Sequence, residues 1–91
     1  MYKTALGFFL VLASTSLLAG NDIWQTLFKE KLQEASLGNS NAQYDVAAMY
    51  QNGRGTHADR SKAIEWYRKA AAQNNEKATS RLELLQANEE R

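Results

Sequence analysis

The sequence predicts an all-α protein in which antiparallel helix hairpins stack as a short α/α superhelix, about four helices following an N-terminal signal helix. Three observations carry that expectation. Apolar residues recur at helical spacing in four segments after residue 20, and short runs of Gly, Asn and Ser separate those segments. The alanine pattern of the second segment returns in the fourth, 36 residues later, from Ala42 to Ala78. Proline is absent, so no position is closed to helix.

The first element, residues 1–20, differs in kind from the rest. Lys3 supplies a positive start, Ala5 to Ala13 is an apolar run, and Ser14, Thr15 and Ser16 interrupt it. The stretch is shorter than the roughly 20 residues a helix needs to cross the hydrocarbon core. It reads as a secretory signal peptide, which predicts a periplasmic or secreted protein. The alternatives are an uncleaved leader anchoring the chain in the inner membrane, the one membrane contact the sequence offers, or an ordinary buried helix. Cleavage fits near Ala19 or Gly20, or after Ser16, where Ser14 supplies the inner small residue. Leu18-Ala19-Gly20 precedes Asn21 and not a cysteine, so no thiol is present to carry a lipid.

Composition bounds the remainder. The 91 residues hold no cysteine, which excludes disulfides, thiol nucleophiles and thiolate metal sites. Eleven bases against ten acids is near balance and speaks against phosphate-driven binding of nucleic acid. Stability must come from packing alone, and about 71 residues after the leader make only a marginal core.

Helix by helix, the register is as follows. The first, about residues 22–37, starts at Asn21-Asp22 and aligns Trp24, Leu27, Phe28, Lys31, Leu32 and Ala35, with Gly38 as its C-terminal cap. The second, about 41–51, aligns Ala42, Val46, Met49 and Tyr50 and stops at Asn52-Gly53. The third, about 60–73, follows Asp59, whose carboxylate suits the free amides and positive end of a first turn. Its stripe is Ala63, Trp66, Tyr67, Ala70 and Ala71. The fourth, about 76–88, aligns Ala78, Leu82 and Leu85 before a charged tail, Glu89-Glu90-Arg91, expected to fray. Short links make neighbours antiparallel. Ala42, Ala47, Ala63, Ala70 and Ala71 let helices approach closely, and Tyr50, Trp66 and Tyr67 fill the gaps.

The same 36-residue shift carries Val46 onto Leu82, Met49 onto Leu85, Phe28 onto Ile64, Ala35 onto Ala71 and Gly38 onto Asn74. The first helix is therefore a diverged copy of the third. The organisation is a signal peptide at 1–20, a diverged half-repeat helix at 21–40, one complete repeat at 41–76, and a capping helix with its tail at 77–91.

The complete unit carries Ala42-Gln43-Tyr44, Met49-Tyr50, the Asn52-Gly53-Arg54-Gly55 turn, Asp59, Lys62-Ala63, Trp66-Tyr67 and Lys69-Ala70-Ala71. Together these residues closely resemble a Sel1-like repeat, a relative of the tetratricopeptide repeat. The resemblance implies paired helices stacked as a solenoid and a role as an adaptor scaffold, in bacteria often within envelope or signalling assemblies. It departs from the pattern in the fourth helix, where Glu83 replaces small Ala47 and Gln86 replaces Tyr50. Polar residues there suit a terminal helix with one face in water.

Several residues invite sharper readings, and blander ones outweigh them. Gly53 and Gly55 lack the G-x-x-x-x-G-K spacing of a phosphate loop and read as turn glycines. Trp66 and Tyr67 fall on the packing stripe before they suggest a ligand platform. His57 has no second imidazole or cysteine for a metal site, and no nucleophile motif frames Ser40, Thr56 or Ser61. Arg54, Arg60, Lys62, Arg68 and Lys69 tint 54–69 basic, either as a solvated face or as a docking patch for an acidic partner. No catalytic residue, metal or small-molecule cofactor is predicted.

The resemblance implies that the first helix of each pair lines a concave surface. Recognition of a protein partner then falls on Asn41, Tyr44, Ala48, Gln51 and Asn52, and by the 36-residue shift on Lys77, Ser80, Leu84 and Asn88. Tyr44 combines an aromatic ring with a polar tip, which suits a hot spot. The preferred function is a non-enzymatic protein-binding adaptor of the cell envelope or secreted space. An inhibitor or regulator of an envelope enzyme is the alternative, and a hydrolase with an unframed site the weakest. So short a solenoid leaves its ends uncovered, so completion by a second copy, as a homo-oligomer, or by another repeat protein is also open, with Trp24 and Phe28 on the outer face of the first helix as the surface.

Overall fold

The computed structural model describes residues 23–89. The predicted signal peptide and the Asn21-Asp22 cap lie outside the described residues. Four helices follow one another: α1 over residues 23–36, α2 over Ser40–Asn52, α3 over Arg60–Ala72 and α4 over Glu76–Glu89. None of the described helices is long and apolar enough to cross a membrane.

The helix ends follow from side-chain chemistry. Asn39 caps α2 by accepting from the Ala42 amide at 3.0 Å, and Asn75 caps α4 by accepting from the Ala78 amide at 3.1 Å. The second helix therefore starts one residue before the position its apolar stripe suggests. Asp59 accepts from the Lys62 amide at 3.1 Å, as its place before α3 predicts. Gly53 closes α2 in the left-handed region, φ 67°, and its amide returns to the Met49 carbonyl. Gly38 and Asn74 occupy equivalent corners after α1 and α3, both with positive φ.

Two small cores hold the helices together. Phe28 and Ala35 of α1 meet Ala42, Val46 and Met49 of α2. Ala47 of α2 meets Ala63, Tyr67 and Ala70 of α3, and Ala78 and Leu85 of α4. Tyr50 and Trp66 pack against both clusters and join them. The Phe28 and Tyr50 rings meet edge to face, 5.2 Å apart. Alanines at the centre let the helix backbones approach, and each of Ala47, Ala63, Ala70 and Ala78 is fully enclosed.

Polar bridges lock the two helix corners. Gln43, a buried residue, donates from Nε2 to the Ala35 carbonyl at 3.1 Å and accepts at Oε1 from Gln73 Nε2 at 2.9 Å. Gln73 Nε2 also reaches the Gly38 carbonyl at 2.9 Å. Asn75 Nδ2 donates to the Ser40 carbonyl at 3.3 Å. The α1–α2 corner is thus bonded to the α3–α4 corner.

Three details differ from the sequence reading. Phe28 is buried between α1 and α2, because Tyr50 reaches across to it, so it does not belong to an outer face. Trp24 lies on the apolar stripe of α1 yet stays 40% exposed, because no described helix covers the N-terminal end. The sequence places Glu89 in a fraying tail, whereas the structure keeps it helical, where it pairs with Arg60 at 3.4 Å. That pair, like Lys31 with Asp45 at 3.7 Å, lies at the surface and contributes little, ~0–1 kcal/mol.

Candidate protein-binding surface

The residues that the sequence assigns to recognition fall on α2 and α4, and all but Tyr44, Ala48 and Gln51 are exposed. Asn41 and Asn52 on α2 are exposed, as are Lys77, Ser80, Leu84 and Asn88 on α4. Ala48 is half-buried, open at one side of the α2 surface. Leu84 is 59% exposed, an apolar side chain left uncovered among polar ones.

Tyr44 and Gln51 are more constrained than recognition alone requires. Both are half-buried, and both touch Tyr67 of α3. The Tyr44 ring lies 5.5 Å from the Tyr67 ring at 57°, and the Tyr67 hydroxyl donates to Gln51 Oε1 at 2.7 Å. Burial pushes the Tyr67 phenol up to about 12, reinforced by Tyr44 and partly offset by the Arg81 cation. Arg81 of α4 stands beside Tyr44, whose hydrogen bond holds the guanidinium more firmly in its charged form. Tyr44 and Gln51 therefore serve packing with one edge and present the other at the surface. Arg81 is the residue that the sequence reading misses, although it stands 36 positions after Asp45 and one turn from Lys77 and Leu84.

Four of the five basic residues of 54–69 make contacts within the chain, and Arg68 is exposed. Arg54 lies over the Trp24 ring at 4.6 Å, Lys62 over Tyr50 at 5.5 Å and Lys69 over Trp66 at 4.2 Å. Arg60 donates to the Leu85 carbonyl at 2.8 Å and so ties the start of α3 to α4. The stems and charges of these residues roof the aromatic side chains, and Trp66 is half-buried beneath Lys69 rather than offered as a platform.

Two concavities open beside α1. A wide cleft of about 840 Å³ lies between α1 and the α2–α3 loop, with Trp24, Phe28, Lys29, Arg54, Gly55 and His57 on its walls. His57 is exposed there in the loop. A groove of about 260 Å³ runs between α1 and α2 past Leu27, Lys31, Asp45 and Met49. Gly55 fixes the first of these. Its φ is 77°, and a Cβ there would stand 2.8 Å from the Trp24 carbonyl carbon and 3.0 Å from the Phe28 Cβ. Only glycine lets α1 lie so close to the loop.

The comparisons with known proteins agree with this geometry. The family model for the Sel1 repeat matches residues 40–75, the span from the start of α2 to the cap of α4. A crystal structure of a Sel1 repeat protein from Oxalobacter formigenes is similar in fold, with a TM-score of 0.66 and 33% sequence identity. The match covers 67% of this chain and 25% of that one, so the chain spans about a quarter of that protein's length. No curated protein matches the chain. Sel1 repeats generally mediate contacts between proteins and form scaffolds. Residues 40–75 form one such repeat, α1 repeats the register of its second helix, and the chain belongs to the Sel1-like repeat family.

Proposed function

We propose that this chain is a non-enzymatic adaptor of the exported space, periplasmic or secreted, that holds a protein partner on the face formed by α2 and α4. The observation that carries the reading is Leu84, exposed between Ser80, Arg81 and Asn88 on α4, where Arg81 stands beside Tyr44 of α2. An uncovered apolar residue ringed by polar ones is the pattern of a contact centre with a hydrated rim. The N-terminal leader supports the compartment, since its charge, apolar run and small residues match an export signal.

A photo-crosslinking residue at position 84, compared with one at Glu65 on the exposed side of α3, tests the surface. Adducts with a distinct protein from position 84 and none from 65 are expected. Equal labelling at both would remove the α2–α4 face from consideration. Fractionation with N-terminal sequencing tests the compartment. Recovery outside the cytoplasm with the leader removed is expected, and a cytoplasmic chain still beginning at Met1 would overturn it.

A further inference from the structure

The 36-residue repeat relates the two ends of the stack. α1 stands in the place of α3, and α2 in the place of α4. On the complete side, α2 sits across α3 and α4: Ala47 packs with Ala63, Tyr67, Ala70 and Leu85, Gln51 accepts from Tyr67, and Tyr44 lies beside Arg81. Stepping each partner back 36 positions puts Leu27, Lys31, Asp45 and Met49 where Ala63, Tyr67, Arg81 and Leu85 hold α2. Those four residues border one groove, about 260 Å³, and no described helix lies on it.

We propose that this groove seats an amphipathic α-helix of the α2 type, contributed by a Sel1-type hairpin of another protein. The chemistry of its rim matches what such a helix carries. Asp45, in the place of Arg81, accepts from a phenol at the position of Tyr44. Lys31, in the place of Tyr67, donates to a carboxamide oxygen at the position of Gln51. Lys31 lies 3.7 Å from both Asp45 and Glu34, and the Lys31 and Asp45 side chains are 31% and 46% exposed, so these weak surface pairs can be exchanged for an incoming partner. Leu27 and Met49 supply the apolar floor, and Trp24 closes one end under Arg54. A second copy of this chain fits poorly. Its available helix of this type is α4, which carries Glu83 in the register of Ala47, and a carboxylate would be buried at the tightest point of the seat. The groove borders the α2–α4 face at Ala48 and Asn52, yet it lies between α1 and α2 and includes no residue of α4, so the inference stands apart from the adaptor surface centred on Leu84.

The probe is a synthetic peptide of residues 39–53 of this chain, titrated into the full-length protein while amide chemical shifts are followed. The largest shifts are expected at Leu27, Lys31, Asp45 and Met49, and Ala47→Glu in the peptide should abolish them. Tyr44→Phe in the peptide should weaken binding roughly fivefold against the wild-type protein and have no effect against Asp45→Ala, because the bond it removes ends on that carboxylate. Leu84→Asp in the protein should leave the titration unchanged, which separates this groove from the adaptor face. Four results overturn the proposal. Shifts centred on Tyr67 and Ala70 would mean that the peptide displaces the chain's own α2. Equal affinity of the Ala47→Glu peptide would remove the seat's geometry. Self-association that competes with the peptide would give the groove to a second copy. Absence of shifts in the full-length chain would mean that it takes no added helix.

Discussion

The Tyr67 hydroxyl donates to Gln51 Oε1 at 2.7 Å, so a side chain fully enclosed at the centre of α3 ends on the rim of α2. The whole side chain is core, and its hydroxyl reaches half-buried Gln51, which is how one residue joins packing to the recognition face. Tyr67→Phe keeps the ring and leaves Gln51, half-buried, to water. A loss of about 1 kcal/mol is expected, or roughly 4–8 °C in Tm for a domain of this size. Thermal melts of the two proteins side by side measure it, and an unchanged Tm would show that the bond carries no net stability.

The same phenol makes stability depend on alkaline pH. Its pKa is raised from 10.0 to about 12 in the folded chain, so between those values the folded state holds a proton that the unfolded state has released. The contribution is complete below about 10 and is lost as pH rises toward 12. Denaturant midpoints across pH 9–12 should fall more steeply for the wild type than for Tyr67→Phe. Parallel curves would assign the alkaline loss to other groups.

Gly55 and Gly38 both adopt positive φ but for different reasons, and alanine separates them. At Gly38 nothing lies within 4 Å of a new Cβ, so the cost is conformational alone, about 1 kcal/mol. At Gly55 the Cβ meets the Trp24 backbone and Phe28, and α1 must move away from the loop. Gly55→Ala should cost more, about 2–4 kcal/mol, and should change Trp24 fluorescence. Equal losses at the two sites would refute the close approach of α1 to the loop.

The fold was legible because its determinants are local and repeated. Alanine and aromatic spacing gave the helices, Asp59 gave the start of α3, and the Gly38–Asn74 pairing under the 36-residue shift matched two left-handed corners. What stayed hidden are contacts between residues far apart in the chain. Gln43 and Gln73 meet at 2.9 Å across 30 positions, and Arg60 reaches the Leu85 carbonyl across 25. No period announces such bonds, since each uses a polar residue that looks solvated in its own helix. The candidate surface was legible as helix faces, but the double duty of Tyr44 and Gln51, and the place of Arg81, needed α3 and α4 in position.

Asn39 and Asn75 stand 36 residues apart and do the same work, each accepting from an amide three residues on. They differ in a second bond, because Asn75 also donates to the Ser40 carbonyl and so joins the corners of the stack. Asn39→Ala should cost about 1 kcal/mol as a lost cap. Asn75→Ala should cost visibly more, about 1.5–2.5 kcal/mol, with both the cap and the bridge removed. Urea denaturation of both variants decides it, and equal midpoints would reduce Asn75 to a cap.

Ala47 is fully enclosed where α2, α3 and α4 converge, and its counterpart in α4, Glu83, is exposed. The repeat gives the two positions one register, yet among the described residues no helix covers position 83 as α3 and α4 cover position 47. Ala47→Leu adds three carbons to a closed seam between Ala63, Tyr67 and Ala70, and should cost on the order of 1–3 kcal/mol through overpacking. Glu83→Leu adds an apolar side chain to an open face and should leave Tm within a few degrees while promoting association, since it extends the uncovered surface beside Leu84. Melting curves paired with light scattering read both effects. A destabilised monomer at position 83, or an unaffected one at 47, would mean that burial does not separate the two positions.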